Sequence, residues 1–330
     1  TKNREKLLEI LKHEACNSCL GRQFGMLGHG LTNAERGEIL RKFASKLIKS
    51  KLKEPDACRL CNNFFKDGIN KVSRNIVKKL RNIEFDTFLI GSIVSNELEK
   101  RQDELWEKIG VEDVETIKSE INRELGKKIE RLTEKKFRAK NPDVTVVVDL
   151  NADKIRIEIR SLYIFGKYKK LVRGMPQAKW VCLRCGGKGC TYCKGAGKLY
   201  KTSIQEIIEK PLLKAAKSKR SKFSGAGRED IDARCLDYRP FIIELVKPVR
   251  RKIDLKKIEK KINKSKKVKV KGLKFANREA IRKLKSAKID KTYLAVVEFE
   301  KMIDKKKLKE LKNLIKEPIL QKTPLRVVHR

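Results

Sequence analysis

The sequence predicts an α/β (α+β) chain, a helical and cysteine-pinned start followed by regions in which amphipathic helices alternate with short apolar strands. Three observations carry this. At 330 residues the chain holds two or three domains of roughly 100–200 residues each. Two Cys-x-x-Cys pairs bracket a helix-period segment within residues 1–67. Beyond them, apolar runs such as 85–94 (FDTFLIGSIV), 143–150 (DVTVVVDL) and 241–246 (FIIELV) read as strands between charged helical stretches.

Taken in order, Cys16 and Cys19 open the first region. Residues 34–52 then place Ile39, Leu40, Phe43 and Leu47 at helical spacing. Asn33 is placed to cap that helix, and Arg36 stands where a capping-box acid would be, so the spacing supports only a simple cap. Pro55 and Asp56 end the stretch just before Cys58 and Cys61. The second region, 68–174, starts with a helix over 69–83 and the strand at 85–94. A long charged helical stretch follows, with a break near Gly110. The run 154–165 (KIRIEIRSLYIF) reads as one strand whose Ile155, Ile157 and Ile159 oppose Lys154, Arg156, Glu158 and Arg160. The third region, 175–330, carries a cysteine-rich insert, a basic run at 214–223, a Lys-rich amphipathic segment over 251–288 and a strand at 291–300 (KTYLAVVEFE). The sequence stops within a strand-like pattern, QKTPLRVVHR, which reads as an incomplete chain.

Lys and Arg total 83 against 42 Asp and Glu, a formal charge of +41. A surplus that large makes a polyanion the expected partner. No run approaches the ~20 apolar residues that cross a bilayer, and the start lacks the apolar core of a signal peptide. A cytoplasmic, membrane-free, monomeric protein is the expectation.

Eight of the nine cysteines fall into four Cys-x-x-Cys pairs. Cys16, Cys19, Cys58 and Cys61 have the spacing of two thiolate knuckles on one cation. Four thiolates fill a tetrahedral sphere, so the expected role is structural Zn²⁺, with an iron–sulfur cluster, a redox dithiol or unligated pairs as the alternatives. His13 and His29 read as polar surface or phosphate contacts rather than ligands. Cys182, Cys185, Cys190 and Cys193 form a second candidate metal quartet. Only four residues separate its pairs, which is cramped, and a glycine-rich RNA-contacting loop with reduced cysteines competes. Cys235 reads as a small buried hydrophobe.

The loop 224–235 (SGAGREDIDARC) places Glu229, Asp230 and Asp232 among Arg228 and Arg234. Neighbouring cations favour ionised carboxylates, and glycines allow close approach of a ligand backbone. A nucleophile or base acting on a nucleotide and a salt-bridged structural loop read equally well from these residues alone.

GREDIDAR followed by RPFIIE and KTYLAVVE resembles the archaeal and eukaryotic tRNA pseudouridine synthase family that acts on the TΨC arm. Further matches are CNSCLGRQFGMLGHGLTNAERG, FDTFLIGS, NPDVTVVVDL, SLYIFGKYKKLVRGMPQAKW, CLRCGGKGCTYCKGAGKLY and QKTPLRVVHR, covering nearly the whole chain in order. The resemblance implies a zinc-containing module at 1–67, a THUMP-type RNA-binding region at 68–174, and a pseudouridine synthase catalytic domain at 175–330 with a mixed, largely antiparallel sheet. It implies Asp230 as the catalytic residue, with Asp232 as local competitor. Arg228 would help hold the flipped nucleotide near the phosphate or displace its neighbours, and in the K-x-Y motif of Lys291 and Tyr293, both substrate-binding, Tyr293 would stack on or contact the target base. The implied substrate is uridine 54, 55 or both in the T arm of tRNA. The reaction is an isomerisation, so no organic cofactor is expected. A non-catalytic tRNA-binding or folding-assistance protein is the competing reading. Two features depart from the family. Asp237 and Tyr238 replace a glycine-rich connection before RPF, and the family continues past the final HR with a further strand and basic residue.

Overall fold

The computed structural model describes residues 2–28, 30–287, 290 and 292–313. The chain divides into two compact units, Thr1–Ala287 and Lys288–Arg330.

The first unit begins with α1 (Lys2–Leu11), α2 (Asn17–Gly21), a 3-10 turn (Arg22–Phe24) and α3 (Asn33–Leu47). The cap of α3 lies one residue before the expected one. Thr32 accepts from the Glu35 amide, and Glu35 accepts from the Thr32 amide at 2.7 Å, a complete capping box. Asn33 and Arg36 instead turn inward, with Arg36 donating to Asn33 and to the Leu27 carbonyl. Ile39 and Phe43 are exposed rather than core, while Gly37, Arg41 and Ala44 are buried. The reason is a backbone-to-backbone crossing of α2 and α3. A Cβ at Gly21 would lie 1.9 Å from the Asn33 carbonyl oxygen, and one at Gly37 would lie 1.9 Å from that of Asn17.

Next come α4 (Ile69–Leu80), β1 (Thr87–Ile93), α5 (Asn96–Ile109), α6 (Ile117–Thr133), β2 (Lys136–Phe137), β3 (Val144–Asp149) and β4 (Lys154–Ile159). Gly110, at φ 77°, ends α5, as its position in the charged stretch predicts. The strands form a mixed sheet ordered β2-β1-β3-β4. β1 is parallel to β2 and β3, and β4 is antiparallel to β3. One apolar core joins the cysteine region to this sheet, running from Leu7 and Leu20 through Ile76 and Phe88 to Val148.

The run 154–165 is not one strand. It breaks after β4, and β5 (Leu162–Lys170) joins a second sheet. Arg160 closes the first pairing at this break. Its amide donates to the Asp143 carbonyl and its guanidinium to the Asp143 carboxylate at 2.7 Å. That sheet also contains β6 (Arg220–Gly225), β7 (Cys235–Val246) and β8 (Val268–Ala276), antiparallel throughout in the order β6-β7-β5-β8. α7 (Ile204–Ala216) and α8 (Leu255–Ile262) cover one face through Ile204, Ile208, Leu212 and Ile258. α9 (Arg278–Ser286) sets Leu284 against Ala226 and Ile242 on the other. The Lys-rich segment 251–288 thus holds a strand between two helices.

The two sheets are joined by polar contacts. Glu84 donates its amide to the Val249 carbonyl and accepts from the amides of Arg251 and Lys252. Arg251 also pairs with Asp143 at 3.1 Å.

In the second unit, residues 292–299 form no strand, contrary to the expectation for KTYLAVVEFE. A strand needs a hydrogen-bonding neighbour, and among the described residues none pairs with it, leaving Leu294 and Val296 more than nine-tenths exposed. α10 (Lys305–Asn313) follows. No described helix is long and apolar enough to cross a membrane.

Candidate active site and metal centres

The acidic loop closes the β6–β7 hairpin. Gly225, the last residue of β6, faces Gln177 so closely that a Cβ there would lie 2.7 Å from Gln177 Nε2. Gly227 has φ 73°, where a glycine turns the chain without strain. Past this bend the side chains separate. Glu229 points inward and is 5 % exposed, while Arg228, Asp230 and Asp232 are exposed.

Glu229 is held by a buried network. The Tyr168 hydroxyl donates to Glu229 Oε2 at 2.7 Å and accepts from Gln177 Nε2 at 2.8 Å. The same amide donates to the Gly227 carbonyl at 2.9 Å. Arg239 Nε lies 3.2 Å from Glu229 Oε2, and its Nη1 donates to the Ala226 carbonyl at 3.0 Å. Burial and the nearby Glu229 charge push the Tyr168 phenol well above its ordinary range, so it remains a donor. Lys170 is fully buried and donates to the carbonyls of Met175 (3.1 Å), Asp230 (2.7 Å) and Ile231 (3.1 Å). Burial lowers its pKa. Two cations therefore face one buried carboxylate, and the Asp230 backbone is fixed while its side chain stays in solvent. A carboxylate presented this way can attack a sugar carbon or take a proton without first ordering its loop.

Lys170, Tyr168, Gln177 and Arg239 were not singled out by spacing. The available signal was alternation in β5, where Ile164, Gly166, Tyr168 and Lys170 are buried in step. A lysine in phase with an apolar face marks a buried charge. Asp237 and Tyr238 lie in β7 where its pairing with β5 shifts register, Tyr168 opposing Arg239 and Lys170 opposing Cys235. The Tyr238 ring is covered by the ammonium groups of Lys271 (3.9 Å) and Lys169 (4.6 Å). Cys235 is half-buried rather than core, and its thiol donates to the Asp237 carbonyl.

Tyr293 belongs to the second unit and is 59 % exposed. Lys291 and His29 lie outside the described residues. His13 stands beside Glu9 at 3.7 Å.

The first cysteine quartet converges. The four sulfurs of Cys16, Cys19, Cys58 and Cys61 lie within 4.8 Å of one another, all buried, with Cys16 and Cys61 at 3.8 Å. The Cys16 amide donates to Cys58 Sγ and the Cys19 amide to Cys16 Sγ. Such a donor set can hold a structural metal and leaves no coordination position for substrate. Beside it Arg22 is fully buried, its nearest carboxylate oxygen being Glu120 Oε2 at 4.0 Å. The second quartet, Cys182, Cys185, Cys190 and Cys193, also has its sulfurs within 4.8 Å.

Comparison with known proteins shows the family. The family model described as "Pus10, C-terminal" matches residues 163–330, and "Pus10 THUMP domain, archaeal" matches 72–149. Several curated relatives carry the name tRNA pseudouridine synthase Pus10. That of Methanopyrus kandleri is 39% identical over 99% of this chain and 82% of its own length. That of Pyrococcus furiosus is 38% identical over 98% and 79%. That of Methanocaldococcus jannaschii is 38% identical over 98% and 78%. The chain belongs to the Pus10 family of archaeal tRNA pseudouridine synthases, with a THUMP domain ahead of the catalytic sheet.

Proposed function

We propose that this chain isomerises uridine to pseudouridine in the T arm of tRNA, at position 54, 55 or both, with Asp230 as the catalytic carboxylate. The observation that carries this is the pairing of an exposed Asp230 side chain with a backbone anchored by buried Lys170. The target base leaves its stack to reach the loop. The N1–C1′ bond breaks, the base turns, and a C5–C1′ bond forms. The proton displaced from C5 is balanced by one gained at N1, so the product is an isomer. Asp230 attacks C1′ or abstracts a sugar proton. Arg228 holds the flipped nucleotide, Tyr293 contacts the base and Lys291 helps bind the substrate, as the family resemblance implies. Zinc in the Cys16, Cys19, Cys58 and Cys61 quartet keeps the α1–α3 region folded, its affinity entering as folding free energy. The working state is a cytoplasmic monomer, with domains at 1–67, 68–174 and 175–330 engaging one tRNA. A charge of +41 supports backbone contacts that weaken with salt.

The test is to incubate unmodified tRNA with the chain, without added cofactor, and to map pseudouridine. Product in the T arm, lost with Asp230→Asn while tRNA binding persists, is the expected result. Undiminished product with Asp230→Asn overturns the assignment. Binding without product from the unaltered chain favours the non-catalytic reading instead.

A further inference from the structure

The second cysteine quartet is an eight-residue repeat. Residues 182–189 (CLRCGGKG) and 190–197 (CTYCKGAG) share the pattern C-x-x-C-x-G-x-G. The backbone repeats as well. Lys188 donates its amide to the Cys185 carbonyl, and Ala196 does the same to Cys193. Gly189 donates to Cys185 Sγ and Gly197 to Cys193 Sγ, both at 3.2 Å. Contacts between the copies are reciprocal. A Cβ at Gly189 would lie 2.7 Å from the Gly195 carbonyl oxygen, and one at Gly197 would lie 2.3 Å from that of Gly187. Each repeat's last glycine thus packs on the first glycine of the shared pattern in the other, about a local two-fold axis.

This symmetry removes the objection that four intervening residues are too few, because the second knuckle is the first one rotated. Equivalent sulfurs meet across the axis, Cys182 with Cys190 and Cys185 with Cys193, each at 3.8 Å, and Cys190 lies 3.7 Å from Cys193. A tetrahedron with zinc–sulfur bonds of ~2.3 Å has edges of about 3.8 Å. The spacing is far longer than the ~2.05 Å of a disulfide.

The second variable position of each pair also meets its equivalent. Arg184 lies 4.1 Å from the centre of the Tyr192 ring, which is 56 % exposed. Beside Tyr192 an open hollow of ≈ 540 Å³ is lined by Lys194, Lys198, Leu199 and Tyr200. From residue 178 to 205 there are six Lys or Arg and no Asp or Glu.

We infer that the two repeats close around one zinc ion, and that this ion holds Arg184, Tyr192 and the adjoining hollow as an RNA-contacting tip, a base stacking on the tyrosines and its phosphate facing the lysines. The ion takes no part in the chemistry, since four sulfurs complete its sphere. The RNA half rests on tRNA being the ligand, as proposed above; the metal half does not.

The experiment uses the full chain. Metal analysis should find two zinc ions per chain, falling to one in the Cys185→Ser/Cys193→Ser variant. One zinc in the unaltered protein, or two in the variant, overturns the site. Should that variant unfold, alkylation of the unaltered protein decides instead. Cys182, Cys185, Cys190 and Cys193 should resist iodoacetamide until zinc is chelated, and ready labelling of all four in the zinc-loaded protein overturns the site. Tyr192→Ala keeps every ligand and should keep both zinc ions while weakening tRNA binding about tenfold, a single stacked base contributing ~1–3 kcal/mol. Unchanged affinity overturns the RNA-contacting role. Pseudouridine formation by the same unaltered protein is measured alongside, so two zinc ions and a Tyr192 effect without product would count against the catalytic proposal alone.

Discussion

The ammonium group of Lys170 lies 2.7 Å from the carbonyl oxygen of Asp230, beneath the backbone whose side chain faces solvent. The carbonyls of Met175 and Ile231 share the same cation. It fastens a loop that has no strand pairing of its own between Gly225 and Cys235.

Lys170→Met should therefore lower both stability and turnover. Removing one member of a buried charge cluster costs about 3–5 kcal/mol. The loosened Asp230 should reduce single-turnover rates ~100-fold, the penalty of a small misplacement of a reacting group, with little change in tRNA affinity. Rapid-quench pseudouridine assays and filter binding on one preparation separate the two.

Adjacent carboxylates should behave oppositely. Glu229→Gln leaves Arg239 and Lys170 without their buried counter-charge and should cost about 3 kcal/mol in urea unfolding. Asp230→Asn alters an exposed side chain and should stay within about 0.5 kcal/mol. Equal effects on stability would contradict the inward and outward orientations of the two.

How much of this was legible in sequence follows from where each interaction is encoded. The first cysteine quartet and the Gly110 break depend on local spacing and were readable. The cap of α3 lies one residue from where the sequence points, because Asn33 and Arg36 have the right chemistry for a helix start but are used in tertiary contacts. The run 154–165 looked continuous because strand propensity does not report which sheet a strand enters. Tyr168 and Gln177 lie far from Glu229 in sequence, and nothing local announces that they converge there with Arg239, ten residues on. Asp230 was identified through resemblance, since the loop's composition suited a structural ion pair equally well.

Gly37→Ala should show the cost of the α2–α3 crossing. The added methyl would sit 1.9 Å from a backbone oxygen, so the helices must move apart. Overpacking of this kind costs about 1–3 kcal/mol and often more when backbone must shift. Because Cys16 caps α2 and Cys19 lies within it, zinc retention under chelator challenge should fall together with melting temperature.

Glu120 provides a pH test. Burial pushes its carboxyl up from 4.5 to about 8, against the pull of Arg22. The folded state then holds a proton that the unfolded chain has released, so stability falls as pH rises between those values, by at most about 1.4 kcal/mol per pH unit. Glu120→Gln lacks this dependence. The stability of the unaltered protein relative to the variant should decline from pH 5 to pH 8 in urea titrations. A constant difference would mean that Glu120 is ionised throughout as the counter-ion of Arg22.

The contacts of Glu84 and Asp143 with residues 249–252 have a geometric consequence. They couple the first sheet to the second by main-chain hydrogen bonds and a largely buried ion pair. A flexible tether would let a ligand held by one sheet sample many distances from the other. Here the separation between the first sheet and the sheet that carries the acidic loop is built in, like the fixed jaws of a gauge.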